Sequence, residues 1–326
     1  TEIETRLAPL YDRLKLPQGR LELMSGIQER RFWDNGVFPS DVATLAGKKA
    51  IASSGVDPAQ IGCLINASVC RDFLEPSTAS IVHNNLKLPG EAFVFDVSNA
   101  CLGVLNGMTL IANMIEQGQI LAGLVVAGEN GGPLVNNTID TLLAQKNITR
   151  REVKSSFASL TIGSSAVGVL LTHEKIAKQS HRLLGGVSMV ETQLNHLCRG
   201  SRDSGAVGGG APLMETDSET LMREGCRLAG KTWVRTRAEL GWSNAEVDRV
   251  FCHQVGKGHR KLMYESVGLE PEKDFSTLEF LGNTGSASLP TTLAMGVEKN
   301  VLKPGDKAAL LGIGSGLNCL MMGVEW

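Results

Sequence analysis

The chain has 326 residues, which is enough for one large α/β domain or for two domains of about 150 residues each. Lysine and arginine total 32 against 34 aspartate and glutamate, and the resulting net charge of -2 excludes the strongly basic surface that binds nucleic acid or anionic membranes. The seven cysteines contain no C-x-x-C pair, which argues against a disulfide framework and a zinc site and predicts a cytoplasmic protein.

The first half of the chain indicates alternating helices and strands. Residues 45–69, LAGKKAIASSGVDPAQIGCLINASV, are typical of a helix, a glycine turn, a short polar link and a buried strand. Residues 95–115, FDVSNACLGVLNGMTLIANMI, indicate a strand that turns into a helix, and residues 120–128, ILAGLVVAG, a further strand. This last segment is the longest apolar run and is far too short to span a bilayer, so we expect no transmembrane segment.

The second half repeats this plan. Residues 228–255 indicate the same order of helix, turn, link and strand, and residues 275–316 indicate another strand–helix turn followed by a strand. Self-similarity at half the chain length predicts an α/β fold made of two βαβ halves related by a pseudo-twofold axis. We expect an N-terminal half of residues 1–175 and a C-terminal half of residues 176–326.

Cys101 lies at the predicted strand–helix turn. A buried cysteine is most often a small apolar core residue, and that interpretation remains open. At a helix N-terminus, however, unpaired N–H groups and the helix dipole favour a thiolate, so we expect the Cys101 pKa to fall below its usual value of about 8.5. The same N–H groups can stabilise the oxyanion of a thioester under attack. Because residues 102–115 are apolar almost all round, we expect this helix to be buried at the centre of a layered fold.

A cysteine nucleophile usually needs a base or an electrostatic partner, and His253 is the best placed of the six histidines. It follows an apolar strand in FCHQV, whereas His259 lies in a basic stretch where we expect it to be solvated. Asn283 lies in GNTG, which by itself is typical of an ordinary turn. The pseudo-twofold axis places this turn opposite that of Cys101, so we predict that Cys101, His253 and Asn283 converge.

Three further segments contain notable residues. Residues 312–316, GIGSG, resemble a phosphate-binding loop, but no helix follows, so we interpret them as a bend between two strands whose N–H groups can approach a ligand. Glu75 precedes Pro76, a position where a glutamate most often caps the next helix. The glycine-rich residues 204–212 are interpreted as a loop.

The chain resembles the thiolase superfamily in four motifs that occur in the family's order. They are SNACLG with Cys101, HQV with His253, GNTGSAS with Asn283 and the terminal GIGSGLNC. The resemblance implies an α/β thiolase-like fold, in which two pseudo-twofold-related βαβ halves form a layered α-β-α-β-α arrangement. The Cys–His–Asn set is similar to that of ketoacyl synthase III, since the elongating synthases carry a second histidine at the position of Asn283. Thiolases carry a second cysteine before the C-terminal glycines, where this chain has Leu311.

Residues 71–82, RDFLEPSTASIV, are similar to the OleA-type condensing enzymes of bacterial olefin biosynthesis. This resemblance implies an acyltransferase that joins two fatty acyl-CoA molecules, without decarboxylation, into a 2-alkyl-3-ketoacyl-CoA through an acyl-Cys101 intermediate. It also implies a homodimer in which Glu75 reaches the other subunit's site and removes the α-proton. The backbone N–H groups of Cys101, Ser315 and Gly316 are expected to hold the oxyanion. Acyl-CoA is the expected substrate, and neither a metal nor another cofactor is expected.

Two departures from ketoacyl synthase III leave alternatives open. HQVG replaces the HQAN of those enzymes, and LELMS replaces the tryptophan-containing segment that stacks on CoA, so no CoA-binding residue can be assigned. The alternative activity is decarboxylative condensation of acyl-CoA with malonyl-acyl carrier protein, in which Glu75 is only structural. A non-catalytic dimer subunit is a third interpretation, but such subunits typically lose the nucleophile. The protein partners to consider are an acyl carrier protein and downstream enzymes of the pathway.

Overall fold

The computed structural model describes residues 2–179, 181–200, 213–253 and 255–326. Its helices are α1 (Glu2–Arg6), α2 (Ala8–Leu14), α3 (Arg20–Ser25), α4 (Pro39–Ser54), α5 (Thr78–Leu86), α6 (Gly103–Glu116), α7 (Gly132–Ala144), α8 (Arg150–Ser155), α9 (Ser218–Leu240), α10 (Lys257–Val267), α11 (Leu278–Leu281) and α12 (Ser288–Glu298). Its strands are β1 (Ile61–Asn66), β2 (Phe93–Asp96), β3 (Ala122–Glu129), β4 (Ser165–Thr172), β5 (Arg182–Val190), β6 (Cys198–Gly200), β7 (Met214–Thr216), β8 (Arg249–Cys252), β9 (Lys307–Gly314) and β10 (Asn318–Glu325). The loop expected at 204–212 lies outside the described residues.

Two four-stranded sheets organise these elements. The first has the order β2-β1-β3-β4, with β1 parallel to β2 and β3, and β4 antiparallel to β3. The second has the order β5-β10-β9-β8, with β8 parallel to β9, and β10 antiparallel to both β9 and β5. The first sheet is built from residues 61–172 and the second from residues 182–325. The predicted alternation of strands and helices is confirmed.

Helices cover both faces of each sheet. The outer face of the first sheet packs against α4 and α5, and the outer face of the second sheet packs against α9 and α10. Between the sheets lie α6 and α12, whose apolar side chains share one core cluster with β1, β3, β9 and β10. The layers therefore follow the order helix, sheet, helix, sheet, helix. No helix in the described ranges is long and apolar enough to cross a membrane.

The central helix α6 is buried, as predicted. Its side chains face both sheets, and Ile111 on one face is 0% exposed, a burial worth about 1.5–3 kcal/mol. The helix approaches β3 closely because Gly107 has no side chain: a Cβ there would lie 2.8 Å from Val125 Cγ1. Close packing on both sides explains why ten of the fourteen residues of α6 are apolar.

The repeat between the two halves fails next to Asn283. The sequence predicts a strand before this residue, but residues 278–281 form the short helix α11. The N–H groups of Leu281 and Gly282 bond to the carbonyls of Thr277 and Leu278 at 2.9 and 3.0 Å, so the backbone is satisfied locally instead of in a sheet. The predicted strand is therefore wrong. Beside β8, in its place, the structure has an isolated β-bridge between Val250 and Asp274.

We predict that Gly103→Ala destabilises the fold. Gly103 is the first residue of α6, and a Cβ there would collide with the Ala67 carbonyl oxygen and lie 2.9 Å from Ser286 Oγ. Overpacking of this kind costs about 1–3 kcal/mol, which urea unfolding followed by circular dichroism measures. Gly90→Ala is the control, because a Cβ at that position meets nothing within 4 Å. Equal unfolding midpoints for the two variants would contradict this close contact.

Candidate active site

Cys101 lies in a single 3₁₀ turn between β2 and α6. The preceding Ala100 has φ of +45°, a left-handed conformation that a residue with a side chain rarely adopts and that clusters at functional sites. The Asn99 side chain fixes this turn, since its Nδ2 donates to Asn106 Oδ1 at 2.7 Å and its Oδ1 accepts from Asn318 Nδ2 at 3.2 Å. The turn is therefore tied both to α6 and to the start of β10.

The glycine-rich bend between β9 and β10 lies against the Cys101 turn. A Cβ at Gly314 would lie 3.6 Å from the Cys101 backbone nitrogen. Asn318 Nδ2 donates to the Ser315 carbonyl at 3.0 Å, and Gly316 has φ of +116°, which favours glycine. The predicted bend between two strands is confirmed. The N–H groups of Cys101, Ser315 and Gly316 belong to adjoining backbone segments, and their role in holding an oxyanion stays a prediction.

The thiol of Cys101 is protonated at neutral pH. Burial, together with the negative charge of Glu129 and the nearby Cys198, raises the pKa of Cys101 to about 12. The expectation of a lowered pKa is therefore wrong. Regular α-helix begins only at Gly103, and the removal of water from the thiol outweighs the stabilising effect of the backbone N–H groups.

His253 continues the pairing of β8 with β9, because its backbone N–H donates to the Leu311 carbonyl at 3.0 Å. The residue is 3% exposed, and its Nδ1 has no hydrogen-bond partner among the described residues. Burial, with a smaller effect of His259, lowers the pKa of His253 to about 3. His253 is therefore a neutral imidazole at neutral pH, with one nitrogen that donates a hydrogen bond and one that accepts.

The prediction that His259 is solvated is wrong. It is partly buried in the first turns of α10, and burial lowers its pKa to about 4. Its backbone carbonyl lies 3.9 Å from Cys226 Sγ on α9, so packing of α10 against α9 explains the burial. Both histidines of this segment are uncharged at neutral pH.

Asn283 is 9% exposed and is held by its backbone. Its N–H donates to the Thr161 carbonyl at 3.0 Å, and its carbonyl accepts from the Gly163 N–H at 2.8 Å. The side-chain Oδ1 accepts from the Gly285 N–H at 3.0 Å. This bond orients the side chain so that Nδ2 is the group that can donate to a substrate oxygen.

Sequence analysis missed Glu129, a carboxylate that is 3% exposed at the end of β3. It accepts backbone N–H bonds from Val69 at 2.9 Å, Cys70 at 3.1 Å and Ser286 at 3.0 Å. Burial raises the pKa of Glu129, and the backbone hydrogen bonds oppose that shift. The sequence did contain a signal for Glu129. An acidic residue at the end of an otherwise apolar strand is rarely buried without hydrogen-bond partners.

The structure brings the Cys101, His253 and Asn283 segments together. The Val104 N–H, in the first turn after Cys101, donates to Ser286 Oγ at 3.0 Å, three residues beyond Asn283. The His253 N–H bonds to β9, and Gly314 at the end of β9 lies close to the Cys101 turn. Nowhere in the described part of the chain do three or more histidine, cysteine, aspartate or glutamate side chains form a group able to hold a metal ion.

Glu75 is an exposed side chain of the single subunit. The interpretation that it caps the next helix is wrong: Ser77 is the N-cap of α5, and its Oγ accepts from the Ser80 N–H at 3.2 Å. Phe73 and Leu74 beside it are each 52% exposed. The Phe73 ring lies 6.1 Å from that of Phe38, which is itself 47% exposed, so an apolar surface adjoins Glu75.

Two family models match separate parts of the chain. Residues 95–184 match the model described as 3-oxoacyl-[acyl-carrier-protein] synthase III, and residues 238–326 match the model of that family's C-terminal part. A beta-ketoacyl-[acyl-carrier-protein] synthase III of Clostridium tetani is 24% identical over 94% of this chain and 89% of that protein.

Two curated relatives are much more similar. The acyl-CoA:acyl-CoA alkyltransferase of Shewanella oneidensis is 43% identical, with 100% of this chain and 94% of that protein covered. The enzyme of the same name from Xanthomonas campestris is 41% identical, with 100% and 93% covered. The crystal structure of cerulenin-bound Xanthomonas campestris OleA superposes with a TM-score of 0.93 at 41% identity, covering 100% of this chain and 92% of that one. Further matching structures of that protein carry substitutions of a cysteine, a glutamate or a histidine.

We predict that alkylation of Cys101 by iodoacetamide is slow at neutral pH and accelerates about tenfold per pH unit between about pH 7 and pH 9. The reason is that the raised pKa leaves only a small thiolate fraction, which grows with pH throughout this range. Mass spectrometry of the peptide that contains Cys101 measures the rate, and Cys101→Ser identifies the signal. A rate that levels off below pH 8 would show that the thiol pKa is not raised.

Proposed function

The chain belongs to the acyl-CoA:acyl-CoA alkyltransferase family of ketoacyl synthase III-like condensing enzymes, and on this basis we propose that it condenses two fatty acyl-CoA molecules into a 2-alkyl-3-ketoacyl-CoA without decarboxylation. The observation that carries the proposal is the identity of 43% and 41% to two such enzymes over the whole chain. The predicted thiolase-like fold is confirmed by the TM-score of 0.93. The free cysteines fit the cytoplasmic location that we propose.

In the first step, the sulfur of Cys101 attacks the thioester carbonyl of one acyl-CoA. The bond between the carbonyl carbon and the CoA sulfur breaks, and CoA leaves as a thiol with the proton that Cys101 gives up. The backbone N–H groups of Cys101 and of the Ser315–Gly316 bend stabilise the oxyanion. The contact between Gly314 and the Cys101 nitrogen supports this assignment, because it places the two backbone segments side by side.

In the second step, Glu75 of the partner subunit removes the α-proton of a second acyl-CoA. The N–H of neutral His253 and the Nδ2 of Asn283 donate hydrogen bonds to the thioester oxygen as enolate charge develops. The carbanion attacks the acyl-Cys101 carbonyl, and the Cys101 sulfur leaves as a thiolate. The protonated Glu75 of the partner subunit returns its proton, so Cys101 becomes a thiol again. All bonds and protons balance with two acyl-CoA molecules as the sole reactants.

A homodimer supplies the geometry that this step needs. One edge strand of the first sheet is β2, and its first residue, Phe93, is 54% exposed. The segment that carries Glu75 also exposes Val69, Phe73 and Leu74, at 54%, 52% and 52%. An edge strand and a group of exposed apolar side chains are features that pairing with a second copy covers. We therefore place the subunit interface on this side of the first sheet.

We predict sustained CoA release when the protein is mixed with one long-chain acyl-CoA and no malonyl donor. Each catalytic cycle consumes two acyl-CoA molecules and frees one CoA, so a thiol reagent measures turnover and mass spectrometry identifies a product with two acyl chains. Cys101→Ala is the control, because it has no nucleophile. Release of one equivalent that resumes only with malonyl-acyl carrier protein would instead establish the decarboxylative reaction.

We predict that Glu75→Gln abolishes condensation and leaves acylation of Cys101 unchanged, because only the second step uses this carboxylate. Intact-protein mass spectrometry measures the acyl-enzyme, and the CoA assay measures turnover. Glu91→Gln, at another exposed position, is the matched control. Co-expression of the Glu75→Gln and Cys101→Ala subunits tests the dimer. Each variant alone is inactive, but the mixed dimer contains one complete site and regains activity if Glu75 acts on the other subunit. A mixed dimer without activity would place Glu75 in its own subunit's site, and activity of Glu75→Gln alone would place it outside the mechanism.

A further inference from the structure

Glu129 is a buried carboxylate that has no role in the proposed mechanism. Its Oε1 accepts from the N–H groups of Val69 and Ser286, at 2.9 and 3.0 Å, and its Oε2 accepts from the Cys70 N–H at 3.1 Å. All three partners are donors, so the arrangement suits an ionised carboxylate, which only accepts hydrogen bonds. Two of these donors lie in the N-terminal half of the chain and the third in the C-terminal half.

The hydrogen bonds continue from Glu129 to the start of α6. Ser286, whose N–H is held by Glu129, uses its Oγ to accept from the Val104 N–H at 3.0 Å. The Val104 N–H belongs to the first turn of α6, where N–H groups have no partner within the helix. Cys101 lies three residues earlier. The position of the Cys101 turn therefore depends on a Ser286 hydroxyl that Glu129 holds in place.

The same carboxylate restrains the segment that contains Asn283. A Cβ at Gly285 would lie 3.0 Å from Glu129 Oε1, so the Gly285 backbone passes directly beside the carboxylate. The Gly285 N–H donates to Asn283 Oδ1 at 3.0 Å. Glu129 therefore lies beside Gly285 and is hydrogen-bonded to Ser286. Gly285 in turn holds the Asn283 side chain.

We propose that Glu129 is a positioning residue: through Ser286 it fixes the spacing between Cys101 and Asn283. The carboxylate, held next to the same turn by these bonds, is after burial the second cause of the raised pKa of the Cys101 thiol. The consequence for catalysis rests on the proposed function, but the contacts do not. Separate substitutions test the charge of Glu129 and the hydrogen bonds that run from Glu129 through Ser286 to the Val104 N–H.

Glu129→Gln tests the charge. Its carbonyl oxygen can keep the bonds to Val69 and Ser286, whereas the NH₂ group faces the Cys70 N–H without negative charge. We expect Cys101 alkylation by iodoacetamide at about pH 8 to accelerate by about threefold or more, because removing a nearby negative charge favours the thiolate. Cys198 is a further described residue whose charge raises the pKa of Cys101, and Cys198→Ser in both backgrounds removes its contribution. An alkylation rate equal to that of the unsubstituted protein would overturn the electrostatic part of the proposal.

Ser286→Ala tests the positioning. It removes the acceptor of the Val104 N–H but keeps the charge of Glu129, so we expect acylation of Cys101 by acyl-CoA to slow by about tenfold. The pH dependence of alkylation should stay that of the unsubstituted protein. Thr232→Val is the control, since it removes a buried hydroxyl that bonds within α9 and has no part in the site. Acylation by Ser286→Ala at the unsubstituted rate would overturn the positioning role.

The alkylation assay uses no acyl-CoA, so its result stands whether or not the protein condenses acyl-CoA. If the unsubstituted protein does not condense acyl-CoA, the proposed function fails, while the alkylation rate of Glu129→Gln still tests the charge. If the unsubstituted protein condenses acyl-CoA but both variants match it in alkylation and acylation, only the role of Glu129 fails. Urea unfolding of each variant separates loss of activity from loss of fold.

Discussion

The hydrogen bond from the Val104 N–H to Ser286 Oγ joins two segments that are 182 residues apart in the chain. It forms where the first turn of the central helix α6 meets the turn before α12, between the two sheets. Helix ends buried in a protein need partners for their free N–H groups, and here the partner comes from the other half of the chain. The Cys101 segment and the Asn283 segment are therefore held at a fixed distance only when both parts of the chain are packed together.

Burial and hydrogen-bond partners together determine the charge of the groups in the candidate site. Removal of water raises the pKa of Cys101 and lowers that of His253, so both are uncharged at neutral pH. Glu129 is the buried group whose partners suit a negative charge, since three backbone N–H groups surround it. In the proposed mechanism, a neutral imidazole that donates one hydrogen bond suits a thioester oxygen that becomes an enolate, because the imidazole adds no permanent charge where the neutral thioester binds.

The candidate site residues could be predicted from the sequence, but their electrostatics could not. The repeated order of helix, turn and strand predicted two α/β halves, and the motifs around Cys101, His253 and Asn283 predicted that these residues converge. The lowered Cys101 pKa and the solvated His259 were wrong, because both predictions assumed exposure to water that packing removes. The strand expected before Asn283 was also wrong. The backbone of residues 278–281 instead forms hydrogen bonds within α11. A pattern of apolar residues does not distinguish a short helix from a short strand.

The sequence by itself determined the elements, their order and the residue types available for chemistry, because periodicity, glycine positions and motif spacing are local properties. It also determined the family, since the similarity extends over the whole chain. Only the tertiary structure decided which backbone N–H groups face Glu129, which hydroxyl receives the Val104 N–H and which side chains lose their water. Those contacts join residues far apart in the chain, and their strength depends on burial, which no local pattern encodes.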